Sequence, residues 1–93
     1  MVTAIVLLKV ERKNINNVAQ KLSDVQGVSE VYSVSGRFDL VAIIRSKANE
    51  DLSEVVTSRM LKIEGITSSE TMLAFRCFSK HDLESMFSLN AEE

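Results

Sequence analysis

The sequence predicts an α+β domain of order βαββαβ, and three observations support this. Six segments alternate between strand and helix patterning, the second half of the chain repeats the first, and no proline or long loop interrupts either half. Val2 to Val10 is β-branched and apolar between polar flanks, which makes it the first strand. Asn14 stands as an N-cap, and Ile15, Val18, Ala19 and Leu22 recur at helical spacing up to about Asp24. After Gly27, Val28, Val31 and Val34 with intervening Ser, Glu and Tyr read as the second strand. Ser35-Gly36 signals a turn, and Arg37 to Arg45, rich in Val and Ile, reads as the third strand. Asn49 caps a second helix whose apolar stripe is Leu52, Val55, Val56, Met60 and Ile63. Gly65 ends that connection, and Thr67 to Phe78 is the fourth strand.

A shift of 38 positions lays one half on the other. Ala4-Ile5-Val6 falls on Ala42-Ile43-Ile44, Val18 on Val56, Leu22 on Met60, and Gln26-Gly27-Val28 on Glu64-Gly65-Ile66. Such a split βαβ repeat implies a ferredoxin-like sandwich, with an antiparallel sheet backed on one face by two helices. Gly27 and Gly65 occupy the same point in each half, where a helix hands over to a strand and a positive φ is expected.

The strands are apolar on both faces. Val2, Ala4, Val6 and Leu8 oppose Ile5 and Leu7; Leu40, Ala42 and Ile44 oppose Val41 and Ile43; Met72 and Ala74 oppose Leu73 and Phe75. Helices on one face leave the other uncovered, several hundred Å² by the usual size of such patches. The open face is therefore expected to bury itself against a second copy, giving an obligate dimer.

Composition narrows the function. With 93 residues, 45% of them apolar, the chain has room for one core. The net charge is −2 with no basic block, so direct nucleic-acid binding is not expected. The longest apolar stretch, Ala4 to Leu8, is too short to span a membrane, and no signal-peptide pattern precedes it. A lone cysteine suits a reducing cytoplasm, and one His with one Cys cannot make a four-ligand metal site; no cofactor is called for. Phosphate-loop, nucleophile-elbow and zinc-protease motifs are absent, so no catalytic residue is assigned. His81 reads as a solvated helix-start residue, Cys77 as a buried inert thiol, and Tyr32 as a half-buried strand residue packing by its ring. Glu50, Asp51 and Glu54 read as a solvated first helical turn.

Three motifs then stand out in order. They are Gly36-Arg37-Phe38-Asp39-Leu40-Val41, then Asp51-Leu52 opening a helix, then Glu64-Gly65-Ile66-Thr67-Ser68-Ser69-Glu70-Thr71. Together they resemble the effector domain of the Lrp/AsnC regulators, whose pattern is Gly-x-(Tyr or Phe)-Asp on strand three and Gly-Val-x-x-Thr-x-Thr entering strand four. The resemblance covers about Val2 to Phe78, with Ser69 where the first Thr is usual and Ile66 where Val is usual. No helix-turn-helix precedes the first strand, so the chain resembles the stand-alone form of the module.

The resemblance implies a dimer through the sheets that assembles further, commonly into octameric rings, with a free amino acid or related metabolite in the cleft between dimers. Co-assembly with full-length DNA-binding regulators is a further implied partnership. Carried over residue by residue, the turn at Gly36 and the carboxylate of Asp39 would contact the effector, and Ser69 and Thr71 would line the same cleft. Arg37, at the motif's variable position, joins the candidate set, with an exposed edge arginine as its plainer reading. The residue types suit a zwitterion: Asp39 for its ammonium, hydroxyls and backbone N–H groups for its carboxylate. The plainer alternative pairs Asp39 with Arg37 or Arg45 and leaves Ser69 and Thr71 as solvent-face strand residues.

The effector domain is expected over 1–78, with 79–93 a C-terminal helix and tail. There Ser79 and Asp82 resemble a capping box, followed by Leu83, Met86 and Phe87 at helical spacing. A second functional reading is a small dimeric ferredoxin-like enzyme, of monooxygenase or isomerase type, acting on an apolar substrate. It requires a buried polar group facing a cavity inside each protomer.

Overall fold

The computed structural model describes residues 1–80. It has the predicted order: β1 (Val2–Val10), α1 (Ile15–Ser23), β2 (Val28–Ser33), β3 (Leu40–Ser46), α2 (Asn49–Glu54) and β4 (Ile66–Ala74). All neighbours in the sheet are antiparallel, in the order β2-β3-β1-β4. The central ladder runs without a slip from Val2 opposite Ser46 to Leu8 opposite Leu40. Ala4, Val6, Leu8 and Val10 thus share a face with Leu40, Ala42 and Ile44, and all seven are buried. They meet Val18 and Leu22 of α1 and Leu52, Val55, Val56 and Met60 of the second helix. Burying each larger side chain stabilises the fold by about 1.5–3 kcal/mol. Sliding one central strand by a single residue would turn its whole set outward, so the pattern fixes the register.

Several boundaries differ from the sequence expectation. Asn14 does occupy the cap position of α1, but its amide donates to Glu11 Oε2 at 3.1 Å and makes no capping bond; a short 3₁₀ turn, Arg12–Asn14, leads in. Asn49 is the first residue of α2, with Ala48 as its N-cap. The helix continues beyond Glu54 as a π-helical segment, Val55–Met60, and the Leu61 N–H reaches back five residues to the Val56 carbonyl at 3.1 Å. Ile63 lies in the turn that follows. The third strand begins at Leu40 rather than Arg37, because Gly36 takes φ +123° and the Asp39 N–H is drawn to the Leu8 carbonyl at 2.9 Å. The fourth strand stops at Ala74 instead of Phe78. Ala74 pairs with Thr3, and β1 has almost no residue left to template more.

Val28 and Val31 are three apart yet both pack against the core. A bulge explains this: Val28 faces Ile44 and Glu30 faces Ile43, so Ser29 is extra. Its counterpart in the repeat, Thr67, is the extra residue between Ser68 opposite Lys9 and Ile66 opposite Val10. The internal symmetry is broken in two places. Val28 pairs with Ile44, but its counterpart Ile66 pairs with Val10 and not with Val6, so β4 is displaced four residues along β1. That is roughly 13 Å at the rise of an extended strand. The π segment is the second break. Gly65 packs against Val18, while Gly27 packs against Val55, one residue short of the counterpart Val56.

Those two glycines set how closely the helices approach the opposite half. Both have φ +104°, and a Cβ would fall 2.8 Å from Val55 Cγ2 at Gly27 and 2.9 Å from Val18 Cγ2 at Gly65. The predicted C-terminal helix beyond Ser79, with His81, Asp82, Leu83, Met86 and Phe87, lies outside the described residues.

Gly27→Ala is expected to cost about 2–4 kcal/mol, combining left-handed strain with overpacking. Gly36→Ala, where nothing lies within 4 Å of a Cβ, should cost only the strain, about 1–2 kcal/mol. Urea unfolding of the two variants, with unchanged m-values, measures the difference.

Candidate functional site

Asp39 sits where β2 returns to β3. Its backbone N–H donates to the Leu8 carbonyl, its carbonyl accepts from the Val34 N–H at 3.0 Å, and its carboxylate Oδ2 accepts from the Val10 N–H at 2.8 Å. The side chain therefore clamps the β2–β3 connection to the end of β1, through a charge-assisted bond to a backbone amide. The expected alternative pairing with Arg37 or Arg45 is not what the structure holds. Arg45 Nη1 instead meets Glu30 Oε1 at 3.3 Å, while Arg37 and Gly36 are exposed at the tip of the connection. Beside them Lys9 Nζ stands 6.0 Å from the Phe38 ring centroid, a cation over an aromatic face.

Ser69 and Thr71 lie opposite Leu8 and Val6, so both point to the helix face of the sheet, and both are exposed. Leu8 also pairs with Leu40 on its other side. β1 thus runs between the Asp39 loop and Ser69, holding them about two strand spacings, roughly 10 Å, apart. One chain gathers Gly36, Arg37 and Asp39 at one end of the sheet, and Ser69 and Thr71 on its edge strand. It does not close them around a single ligand.

The face away from the helices carries half-buried Ile5, Leu7, Val41 and Ile43, with Met72 45% exposed beside them. At one end of this face the Tyr32 hydroxyl donates to Glu30 Oε2 at 2.7 Å while Arg45 holds the other carboxylate oxygen. Tyr32 is 51% exposed, more open than the half-buried packing expected of it, and its hydroxyl is engaged by Glu30. The hydroxyl and the guanidinium hold the Glu30 carboxyl below its ordinary value of 4.5, and the same carboxylate raises the Tyr32 phenol above 10.0. Cys77, expected in the interior, is exposed, because β4 ends three residues before it.

On the helix side a groove of about 320 Å³ separates the second helix from β4, lined by Leu52, Ser53, Val56, Thr57, Thr71 and Leu73 among others. Of the five candidate ligand residues, only Thr71 lies in it. The rest of the lining was hidden because Leu52 and Val56 read simply as core, and β4 alternation alone does not show that its inner face is left uncovered. Among the described residues no polar or charged side chain is buried. Among the same described residues no three His, Cys, Asp or Glu side chains gather, and none of their helices is long and apolar enough to cross a membrane.

Asp39→Ala is expected to lower stability by about 1.5–3 kcal/mol and to speed hydrogen exchange at the Val10 amide, with Asp39→Asn losing less because an oxygen acceptor remains. The depressed Glu30 carboxyl contributes stability at neutral pH that is lost as pH falls below 4.5 through its folded value. Tyr32→Phe should move the Glu30 carboxyl back up towards 4.5, read by carboxyl-carbon NMR titration, and shrink that acid-side loss.

Comparison with known proteins agrees with this architecture. Residues 3–83 match the Lrp/AsnC ligand binding domain. The HTH-type transcriptional regulator FL11 of Pyrococcus furiosus is 32% identical over 75 residues, 81% of this chain and 49% of its own length. The chain thus spans about half the length of that curated relative. The crystal structure of TTHA0845 from Thermus thermophilus superimposes with a TM-score of 0.80 at 40% identity, covering 86% of this chain and 100% of that one. The transcriptional regulator NMB0573 of Neisseria meningitidis, solved as an L-Met complex, shares the fold at 12% identity, with a TM-score of 0.74 over 84% of this chain and 52% of its own. The βαββαβ sheet, its clamped Gly36–Asp39 connection and these matches together make the chain a member of the Lrp/AsnC family, built on that family's ligand-binding domain.

Proposed function

We propose that this domain senses a free amino acid or related metabolite and couples its binding to assembly, first as a dimer through the open sheet face and then as a ring of dimers. The observation that carries the reading is the division of the candidate residues. Gly36, Arg37 and Asp39 stand on one side of β1, Ser69 and Thr71 on the other, so a ligand-sized cleft needs a second copy to complete it. The open face supports the dimer: a contiguous aliphatic centre of Ile5, Leu7, Val41, Ile43 and Met72 ends in the polar Glu30–Tyr32–Arg45 cluster, as in an interface with an apolar core and a polar rim. Ligand binding at the seam between dimers would favour the larger assembly by its differential affinity for it. Full-length DNA-binding regulators of the family are the partners such a module would join. The L-Met complex of the Neisseria regulator makes L-methionine the first probe. The enzyme reading calls for a buried polar group in an internal cavity, and none of the described residues supplies one.

Ile43→Asp, which puts a charge at the centre of the open face, is expected to convert the dimer into a monomer in light-scattering chromatography. An unchanged dimer would overturn the sheet-face interface. In a thermal unfolding screen against the twenty amino acids, an effector at 100 times its dissociation constant should add about 2.7 kcal/mol, several degrees for a domain of this size. Asp39→Ala and Thr71→Val should each reduce that shift. No shift with any amino acid at millimolar concentration would overturn amino-acid sensing.

A further inference from the structure

We propose that Arg37 of one copy seats in an acidic pocket beside the second helix of another copy, and that this contact joins one dimer to the next. It rests on the assembly reading above and goes beyond it in naming the two surfaces that meet.

The pocket holds about 240 Å³ between the second helix and the turn from α1 to β2. Gln26, Gly27 and Ser46 line one side, Asp51, Glu54 and Arg59 the other, and buried Val55 completes it. That volume falls below the roughly 300–1,000 Å³ usual for small-molecule sites and suits a single side chain. Its charges are unevenly matched. Arg59 Nη1 donates to the Gln26 carbonyl at 3.1 Å, and Nη2 stands 3.7 Å from Glu54 Oε1. The Asp51 carboxylate has no ion pair among the described residues. Two carboxylates thus share one guanidinium that is partly spent on a backbone carbonyl. A second guanidinium entering here would pair with Asp51 and lay its aliphatic stem against Val55.

The complementary group sits at the opposite end of the sheet. Arg37 is exposed at the tip of the β2–β3 connection and likewise has no ion pair among the described residues. Nothing lies within 4 Å of a Cβ built on Gly36, so a neighbour can come close to the backbone there. The bond from the Val10 N–H to the Asp39 carboxylate holds the connection in place, which lowers the entropy lost on docking. Lys9, Arg12 and Lys13 are exposed at the same end and add positive potential around the tip. One chain cannot satisfy the pair by itself. Leu40 and Ser46 stand six residues apart on β3, roughly 20 Å, and Arg37 lies beyond Leu40. The guanidinium must therefore come from a second copy. Each copy offers both halves of the contact, so its repetition adds dimer to dimer.

The test is light scattering on the full chain from micromolar to millimolar protein, with and without L-methionine. Species larger than the dimer are expected. Arg37→Glu and Asp51→Arg should each weaken the dimer–dimer step by about tenfold or more while leaving the dimer intact. The double variant Arg37→Glu/Asp51→Arg should restore the larger species, because the reversed charges pair again. Unchanged assembly in Arg37→Glu would overturn the contact and leave ring assembly standing. So would two weakened single variants without rescue in the double, the pattern of a general charge effect. Arg37 stands at an exposed tip, so its substitution tests the contact even where Asp51→Arg fails to fold. No species beyond the dimer in the unsubstituted chain would overturn the contact and the ring reading together. The open-face dimer would then still stand or fall by Ile43→Asp.

Discussion

The central β1–β3 ladder is the constraint on which the rest of the molecule depends. It pairs Val2 through Leu8 with Ser46 through Leu40 without interruption, and it places every inward side chain of two strands in one plane. Both helices pack on that plane, so their positions are consequences of its register. Because the side-chain period is two, the same ladder pushes Ile5, Leu7, Val41 and Ile43 to the opposite face. The apolar surface that calls for a partner is therefore the other half of the pattern that builds the core.

The edge strands divide the work differently. β2 is closely covered by α1 and carries Glu30 and Tyr32 outward, where they and Arg45 satisfy each other at the rim of the open face. β4 is exposed along most of its length on both faces. A long strand exposed in this way is a liability for a monomer and an asset for a protein that assembles. The Asp39 clamp matters for the same reason. By holding the β2–β3 connection against Val10, it fixes the direction in which Gly36 and Arg37 are presented to solvent. Its carboxylate already has a structural partner in the Val10 amide, so its position is set by the fold itself.

Much of the fold could be read from the residues. Ala4-Ile5-Val6 over Ala42-Ile43-Ile44, and Gly27 over Gly65, revealed the repeat and with it the topology. The positive φ of both glycines follows from their place after a helix. The candidate site was legible only as a set of residue types. Gly36, Asp39, Ser69 and Thr71 were found by motif, but nothing in their spacing told that β1 would stand between them. Cys77 and Tyr32 were misplaced because a strand's end and a side chain's exposure depend on the neighbour strand, not on local pattern.

What the sequence determined by itself is therefore the local and periodic part: which segments are strands or helices, which face of each is apolar, and where backbone freedom is required. These follow from side-chain chemistry within a few residues of chain. Only the tertiary structure decided the four-residue displacement of β4, the π segment opposite it, and the Val10–Asp39 bond across 29 residues. Each is a compromise between segments distant in sequence that compete for the same space and the same hydrogen bonds. Periodicity is blind to such competition, because a strand reads the same whether its neighbour lies in register or four residues along.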